Sequence, residues 1–267
     1  MHFFKYHGTG NDFIILNDEK EEFPDKDIAY IKSLCRRKFG IGADGLILIR
    51  PHAELDFMML YFNADGKPGS LCGNGGRCAT AFAQSRNYFK KEAHFEAFDG
   101  KHKATVREDG KIALRFHATR VPEKKEENVF VLNTGSPHYV KFVEEDPGHE
   151  FVEKARKIRQ SEPYSKDGIN VNFAWQDGND RVILRTFERG VEDETYSCGT
   201  GSVASAIAFA ELKGIDYNGN PIETLTYGGA LYVSFERGSP NSGYDNIWLI
   251  GPTQFVFKGD LPKRSNQ

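Results

Sequence analysis

The chain has 267 residues, with 35 Lys and Arg against 38 Asp and Glu, a formal net charge of −3 and 39% hydrophobic residues. Interspersed charges in near balance argue against a nucleic-acid or membrane-surface partner, and no apolar run approaches the ~20 residues needed to span a bilayer. The N-terminus, Met-His-Phe-Phe-Lys-Tyr-His-Gly, has no signal-peptide core, so a cytoplasmic protein with reduced thiols is expected.

Apolar, β-branched and aromatic runs predict strands over 12–17, 44–50, 55–62, 94–98 and 111–117, and helices over 26–38 and 73–86. A polar, turn-prone stretch follows at 118–128. Beyond it, strands are predicted over 129–132, 139–144, 169–175, 181–187, 223–227, 230–236, 246–250 and 253–258, with helices over 148–159 and 199–213. At ~150 residues per domain the length suits roughly two domains. The boundary is placed in the polar stretch: 1–117 form the first half and 118–250 the second. The terminal segment 251–267, with its strand, is expected to join the first half.

The halves repeat one another. Thr9-Gly10-Asn11 answers Thr134-Gly135-Ser136, Gly40-Ile41 answers Gly168-Ile169, Phe62 answers Phe187, and Cys72 answers Cys198, all in the same order and at offsets of 125 to 128. Self-similarity at a long, nearly constant period marks a duplicated unit. The helices that begin at residues 73 and 199 carry small residues on nearly every face, so each must be buried. The fold expected is α/β: two pseudosymmetric halves, each a barrel-like, mainly antiparallel sheet wrapped round a central helix, with the active site in the cleft between them.

Cys72 and Cys198 each open a Cys-Gly-x-Gly phrase at a helix start, where unpaired N–H groups and the helix dipole favour a thiolate. Cys35 reads as a small buried hydrophobe. Cys78 lies six residues after Cys72, about 240° round the helix, and is assigned to the core. No Cys-x2-Cys or His-x3-His spacing points to a metal, and no P-loop or Gly-x-Gly-x-x-Gly turn points to a cofactor, so neither is expected. Two helix starts instead offer sites for a substrate carboxylate. With the substrate Cα between two sulfurs, one thiolate would take the proton from one face and the other thiol would return one to the opposite face. That geometry inverts a stereocentre.

The motifs His7-Gly8-Thr9-Gly10-Asn11-Asp12-Phe13, Gly40-Ile41-Gly42-Ala43-Asp44-Gly45, Phe62-Asn63-Ala64-Asp65-Gly66, Cys72-Gly73-Asn74-Gly75-Gly76-Arg77, Thr134-Gly135-Ser136-Pro137-His138, Asn170-Val171-Asn172, Glu188-Arg189-Gly190 and Cys198-Gly199-Thr200-Gly201 together resemble those of the diaminopimelate epimerase family. The resemblance implies a cofactor-independent isomerase that interconverts LL- and meso-diaminopimelate in lysine and peptidoglycan precursor biosynthesis. It implies Cys72 and Cys198 as the acid/base thiols, supported by His138 and Glu188. Asn11, Asn63, Gly73, Asn74, Asn172, Glu188, Arg189, Gly199 and Thr200 are implied in substrate binding. A homodimer and a small amino-acid substrate follow from the same resemblance. Gly45 and Ser136 stand where some members carry Gln and Asn, Lys67 stands where Ser is preferred, and the acidic loop 191–197 is one residue longer than usual. The alternative reading is another two-thiol amino-acid racemase, such as a proline-racemase-like enzyme. A non-catalytic amino-acid-binding or thiol-redox protein is disfavoured, because redox chemistry predicts a dithiol within one motif and binding alone does not need sulfur at both helix starts.

Overall fold

A computed structural model describes residues 1–178, 181–239 and 242–261. In chain order the elements are β1 (His2–Gly8), β2 (Asn11–Asn17), α1 (Ile28–Cys35), β3 (Gly45–Arg50), β4 (Phe57–Asn63), α2 (Gly73–Ser85), β5 (Glu92–Ala97), β6 (Gly100–Val106) and β7 (Ile112–Arg115). There follow β8 (Glu123–Glu126), β9 (Val129–Asn133), β10 (Pro137–Phe142), α3 (Phe151–Gln160), β11 (Asn170–Gln176), β12 (Arg181–Glu188) and β13 (Asp193–Thr195). The last are α4 (Gly199–Lys213), β14 (Ile222–Thr226), β15 (Gly229–Arg237), β16 (Tyr244–Gly251) and β17 (Gln254–Asp260). Two compact units result, Met1–Leu114 with Pro252–Gln267, and Arg115–Gly251. Of the segment 251–267, residues 262–267 lie outside the described residues. β17 pairs antiparallel with β1.

The repeat is visible in the pairing. In the first unit β2 and β3 are parallel, β3 and β4 antiparallel, β4 and β5 parallel, and β5 and β6 antiparallel. The second unit repeats that series with β10, β11, β12, β14 and β15. Each parallel step is a crossover through a helix (α1 and α2 in one unit, α3 and α4 in the other), as parallel neighbours require.

β2 and β3 are apolar without alternation because both their faces are covered. Ile14, Leu16, Leu46 and Leu48 pack with Ile31 and Leu34 of α1 on one face. Phe13 and Ile47 approach Gly75 of α2 on the other. In the second unit Val203, Ala204, Ala206, Ile207, Ala208, Phe209 and Ala210 of α4 share a core with residues of β9 to β12 and β14 to β16. The outer face of β11 sends Val171 and Phe173 to Phe151 and Ala155 of α3, while Ala174 joins the α4 core. Strand alternation therefore points Asn170 and Asn172 inward with Ala174.

Several predicted boundaries shift for local reasons. The helix expected over 26–38 stops at Cys35, because the chain folds back over its end: Gly42 and Ala43 donate to the Leu34 and Cys35 carbonyls. Any side chain at Gly40 would strike the Ser33 carbonyl. Its start is fixed by Asp27, whose carboxylate accepts from Tyr30 N–H at 3.0 Å. The helix expected from 148 begins with a 3₁₀ turn at Gly148–Glu150 before α3. Strands β1, β6, β8 and β13 had no clear sequence signal. β8 is the clearest case: all four of its residues are exposed, so edge pairing with β9 needs no apolar pattern.

Candidate active site

Cys72 is the N-cap of α2, in an extended backbone conformation (φ −84°, ψ 122°), and its carbonyl accepts from Gly76 N–H at 2.7 Å. Its thiol lies 3.4 Å from Asn11 Oδ1, at the start of β2, as a donor. Asn74 Nδ2 donates to the same oxygen at 3.2 Å. The orientations of both amides are fixed from outside. Asn11 Nδ2 donates to Asp44 Oδ2 at 2.8 Å, and Asn74 Oδ1 accepts from Arg77 Nη2 at 2.9 Å. A guanidinium can only donate and a carboxylate accepts, so neither amide can be reversed without loss.

Arg77 is fully buried within the first turns of α2, held by the Gly73 carbonyl at 3.3 Å and Thr9 Oγ1 at 3.4 Å as well as Asn74. Burial draws its pKa down to about 10, with the nearby Cys78 and Cys72 opposing, so it stays charged at neutral pH. Asp44 is tied in turn to Arg37, which grips Asp12 through both nitrogens. Burial acts to raise the Asp12 pKa, but Arg37 and the buried Lys5 outweigh it and hold the carboxyl at about 2. Asn63, at the exposed end of β4, registers opposite Gly45, which registers opposite Phe13 of β2. It therefore shares that sheet end with Asn11 without being hydrogen-bonded into the Cys72 cluster. Its backbone turns through Gly66 (φ +88°), whose N–H donates to the Asn63 carbonyl at 2.9 Å.

Cys198 is the N-cap of α4 (φ −120°, ψ 111°), and its carbonyl accepts from Ser202 N–H at 2.9 Å. Thr200 Oγ1 is 3.3 Å from its sulfur and 2.9 Å from His138 Nε2. His138 is fully buried; burial pushes its pKa down to about 3 against the opposing hydrogen bond from Asn172, and the charge of Arg189 lowers it further. The ring is neutral at physiological pH. Asn172, also fully buried, places its Nδ2 3.0 Å from His138 Nδ1 and 3.0 Å from the Tyr139 carbonyl, while Thr186 Oγ1 donates to its Oδ1 at 2.9 Å. Asn172 was expected to bind substrate; its amide is taken up by His138, the Tyr139 carbonyl and Thr186.

Asn170, two residues earlier on the same face of β11, donates to Ser136 Oγ at 2.8 Å and to the Pro137 carbonyl at 3.2 Å. Its Oδ1 accepts the backbone N–H of Arg189 at 2.8 Å. Arg189 is exposed, and its Nη1 donates to the Asp167 carbonyl at 3.0 Å. Glu188 is half-buried at the end of β12. Gly73 and Gly199 are buried first residues of their helices.

The structure thus gathers Asn11, Cys72 and Asn74 in one unit and His138, Asn172, Cys198 and Thr200 in the other. Residues that sequence reasoning passed over are Arg77, Asp44, Asn170 and Thr186. The first three stand inside the quoted motifs, whereas Thr186 had no signal beyond its place before Phe187. At Gly45, where some members carry Gln, a Cβ would lie 2.5 Å from Cε2 of Tyr61. In the acidic 191–197 loop, Glu194 accepts two hydrogen bonds from the Arg185 guanidinium and Glu192 meets Arg159 at 3.2 Å. Cys35 and Cys78 are buried thiols with pKa values pushed up to about 12, mainly by desolvation, and are inert by that measure. Among the described residues no group of three His, Cys, Asp or Glu side chains could hold a metal ion.

Two repeated α/β units, each with a buried helix opened by a Cys-Gly step, place the chain in the fold class of racemases, epimerases and related isomerases. Solved structures with this fold include a phenazine biosynthesis protein of the PhzF family from Bacillus anthracis, with TM-score 0.74 and 14% identity over 97% of this chain and 98% of that one. A hydroxyproline epimerase from Agrobacterium vitis has TM-score 0.68 and 15% identity over 97% of this chain and 90% of its own. The chain belongs to the diaminopimelate epimerase family: that family's model matches residues 3–120 and 130–255. A diaminopimelate epimerase from Flavobacterium psychrophilum is 45% identical over 97% of this chain and 99% of its own length, and one from Aquifex aeolicus is 36% identical over 98% of each.

Proposed function

We propose that this chain is an isomerase that interconverts LL- and meso-diaminopimelate by moving a proton at Cα between two thiols, in lysine and peptidoglycan precursor biosynthesis. One thiolate removes the proton and the other thiol supplies one to the opposite face, so the reaction requires Cys72 and Cys198 to address opposite faces of the same carbon. Charge released by deprotonation flows into the α-carboxylate. Backbone N–H groups at Gly73, Asn74, Gly199 and Thr200, which open α2 and α4, are assigned to that carboxylate, because preorganised donors aimed at developing charge are the usual largest source of catalysis. Asn11 and Asn63 are assigned to the substrate on the Cys72 side, Glu188 and Arg189 on the Cys198 side, and His138 and Asn172 to support of Cys198.

The observation that carries the reading is that both N-caps are cysteines, each with a side-chain partner poised at its sulfur. This occurs in a chain 45% identical to a diaminopimelate epimerase along nearly its whole length. We assign the enzyme to the cytoplasm, in keeping with four free cysteines and with the absence, among the described residues, of any helix long and apolar enough to cross a membrane. A homodimer fits β17, whose Phe255, Val256 and Phe257 are 46%, 48% and 45% exposed.

The test is proton NMR in D2O with LL-diaminopimelate, following solvent deuterium into Cα. Wild type should exchange and epimerise; Cys72→Ala and Cys198→Ala should each abolish epimerisation while the protein stays folded. Full activity in either variant refutes the two-thiol mechanism.

A further inference from the structure

The backbone that carries Arg189 is fixed on both sides by side chains. Its own N–H donates to Asn170 Oδ1 at 2.8 Å, and the next, that of Gly190, donates to Glu192 Oε1 at 3.2 Å. The Glu192 N–H donates to the Glu188 carbonyl at 2.8 Å and closes the turn between β12 and β13. Glu192 lies in the left-handed region (φ +59°), where residues other than glycine are uncommon. Such a conformation persists only where surrounding contacts hold it, and it clusters at functional segments. Here the Oε1 that accepts from Gly190 also accepts from Arg159 Nη2 at 3.2 Å.

Arg159 stands in the last turn of α3, with its side chain 16% exposed. Its Nη1 donates to the Tyr164 carbonyl at 3.4 Å, in the segment that leads to β11. Its Nε is buried with no hydrogen-bond partner among the described residues, so the Nη contacts orient the group. The two arginines meet over Gly168. A Cβ on that glycine (φ +73°) would lie 2.7 Å from Arg189 Cδ, 2.8 Å from Arg159 Nη2 and 2.9 Å from Arg159 Cζ. The Arg159 guanidinium therefore lies beside the Arg189 stem, in space that the glycine leaves open. Two positive side chains packed together repel, and the Glu192 carboxylate supplies a countercharge. Arg189 Nη1 donates to the Asp167 carbonyl, while among the described residues its Nε and Nη2 have no hydrogen-bond partner. That edge of the fork matches a carboxylate.

We infer that the Arg159–Glu192 ion pair is the positioning device for Arg189, and that it sets the preference for a substrate bearing a second, distal carboxylate. The inference rests on the assignment of Arg189 to the substrate made above, and adds the residues that aim it. Arg159 joins the segment before β11 to the turn after β12, and the Arg189 side chain spans the same gap to the Asp167 carbonyl. Neither Arg159 nor Glu192 has to touch the substrate or take part in proton transfer. Without the pair the turn at 189–192 relaxes and the fork meets the distal carboxylate less squarely, while both thiols stay in place.

The test is initial-rate kinetics with LL-diaminopimelate for wild type, Glu192→Ala and Arg159→Met. These variants cut the ion pair from opposite ends and change the local charge in opposite directions. An influence through charge alone lowers KM in Glu192→Ala, which loses a negative group near an anion site, and raises it in Arg159→Met. A positioning role raises KM in both, by roughly threefold to tenfold, with kcat within about twofold of wild type, as expected when uniform binding is lost. In an Arg189→Lys background, where the fork is already gone, each substitution should change kcat/KM by less than about twofold. Glu192 is exposed, so Glu192→Ala decides the matter even if Arg159→Met folds poorly. An unchanged or lowered KM in Glu192→Ala overturns the inference, as does a loss confined to kcat or an equal penalty in the Arg189→Lys background. A wild type that leaves LL-diaminopimelate unaltered overturns the epimerase reading and this inference with it; an active wild type with insensitive variants overturns this inference alone.

Discussion

Gly75 and Gly201 occupy the same position in the repeat, three residues beyond Cys72 and Cys198, yet alanine should be tolerated at one and not at the other. A Cβ on Gly201 would lie 2.6 Å from Asn172 Oδ1, 3.2 Å from Thr186 Oγ1 and 3.3 Å from Cys198 Cβ. Asn172 cannot step aside, because it is buried and bonded to His138, Tyr139 and Thr186. Alanine gains up to ~1 kcal/mol in helix propensity. Against that stand ~1–3 kcal/mol for forcing atoms into a packed site and a further ~1–2 kcal/mol for parting Thr186 from Asn172. The net cost is about 1–4 kcal/mol, or roughly 3–15 °C in Tm for a unit of this size. A Cβ on Gly75 would instead meet Ile47 Cδ1 at 3.3 Å and Cys72 Cβ and Phe13 Cε1 at 3.4 Å, mostly movable side-chain ends. Gly75→Ala should therefore stay within ~1 kcal/mol of wild type. Urea denaturation and calorimetry of both variants measure the difference. If Gly201→Ala is as stable as wild type, or if the two variants lose the same amount, Asn172 is not the rigid support described here.

Three other outcomes are expected. Arg189→Lys keeps the charge but loses the planar fork suited to a carboxylate; initial rates should show a lower kcat/KM for diaminopimelate and no gain with lysine, and a wild type that racemises lysine equally well removes Arg189 from substrate selection. His138 is held at about 3 in the fold against ~6.5 in an unfolded chain, so the unfolded state binds the extra proton and stability should fall as pH drops from about 6.5 toward 3. The urea midpoint of His138→Gln should depend less on pH across that window, and an unchanged slope refutes the buried neutral ring. Val256→Asp, on the exposed face of β17, should shift the mass seen by light scattering from dimer to monomer; an unaltered dimer places the interface elsewhere.

Much of this protein was legible without coordinates, for a physical reason. A duplicated chain repeats its motifs at a constant offset, and a helix buried on every side must be written in small residues, as residues 199–213 are. The bounds of α4 and the placement of Cys72 and Cys198 at helix starts followed from those two facts. Strands such as β2 and β3 announced themselves because both faces are covered; β8, exposed along its length, carried no pattern to find. What only the tertiary structure decided is how the two matched sites differ. Thr200 and Asn74 stand on the same helix starts as the cysteines, but the residues that hold each site come from β2, β10, β11 and β12, and the fold alone brings them there. Asp44 and Arg77 orient Asn11 and Asn74 beside Cys72, while Tyr139 and Thr186 fix Asn172 against His138, which meets Thr200 beside Cys198. The repeat makes the two thiols look alike, and the chain of contacts behind each one makes them different.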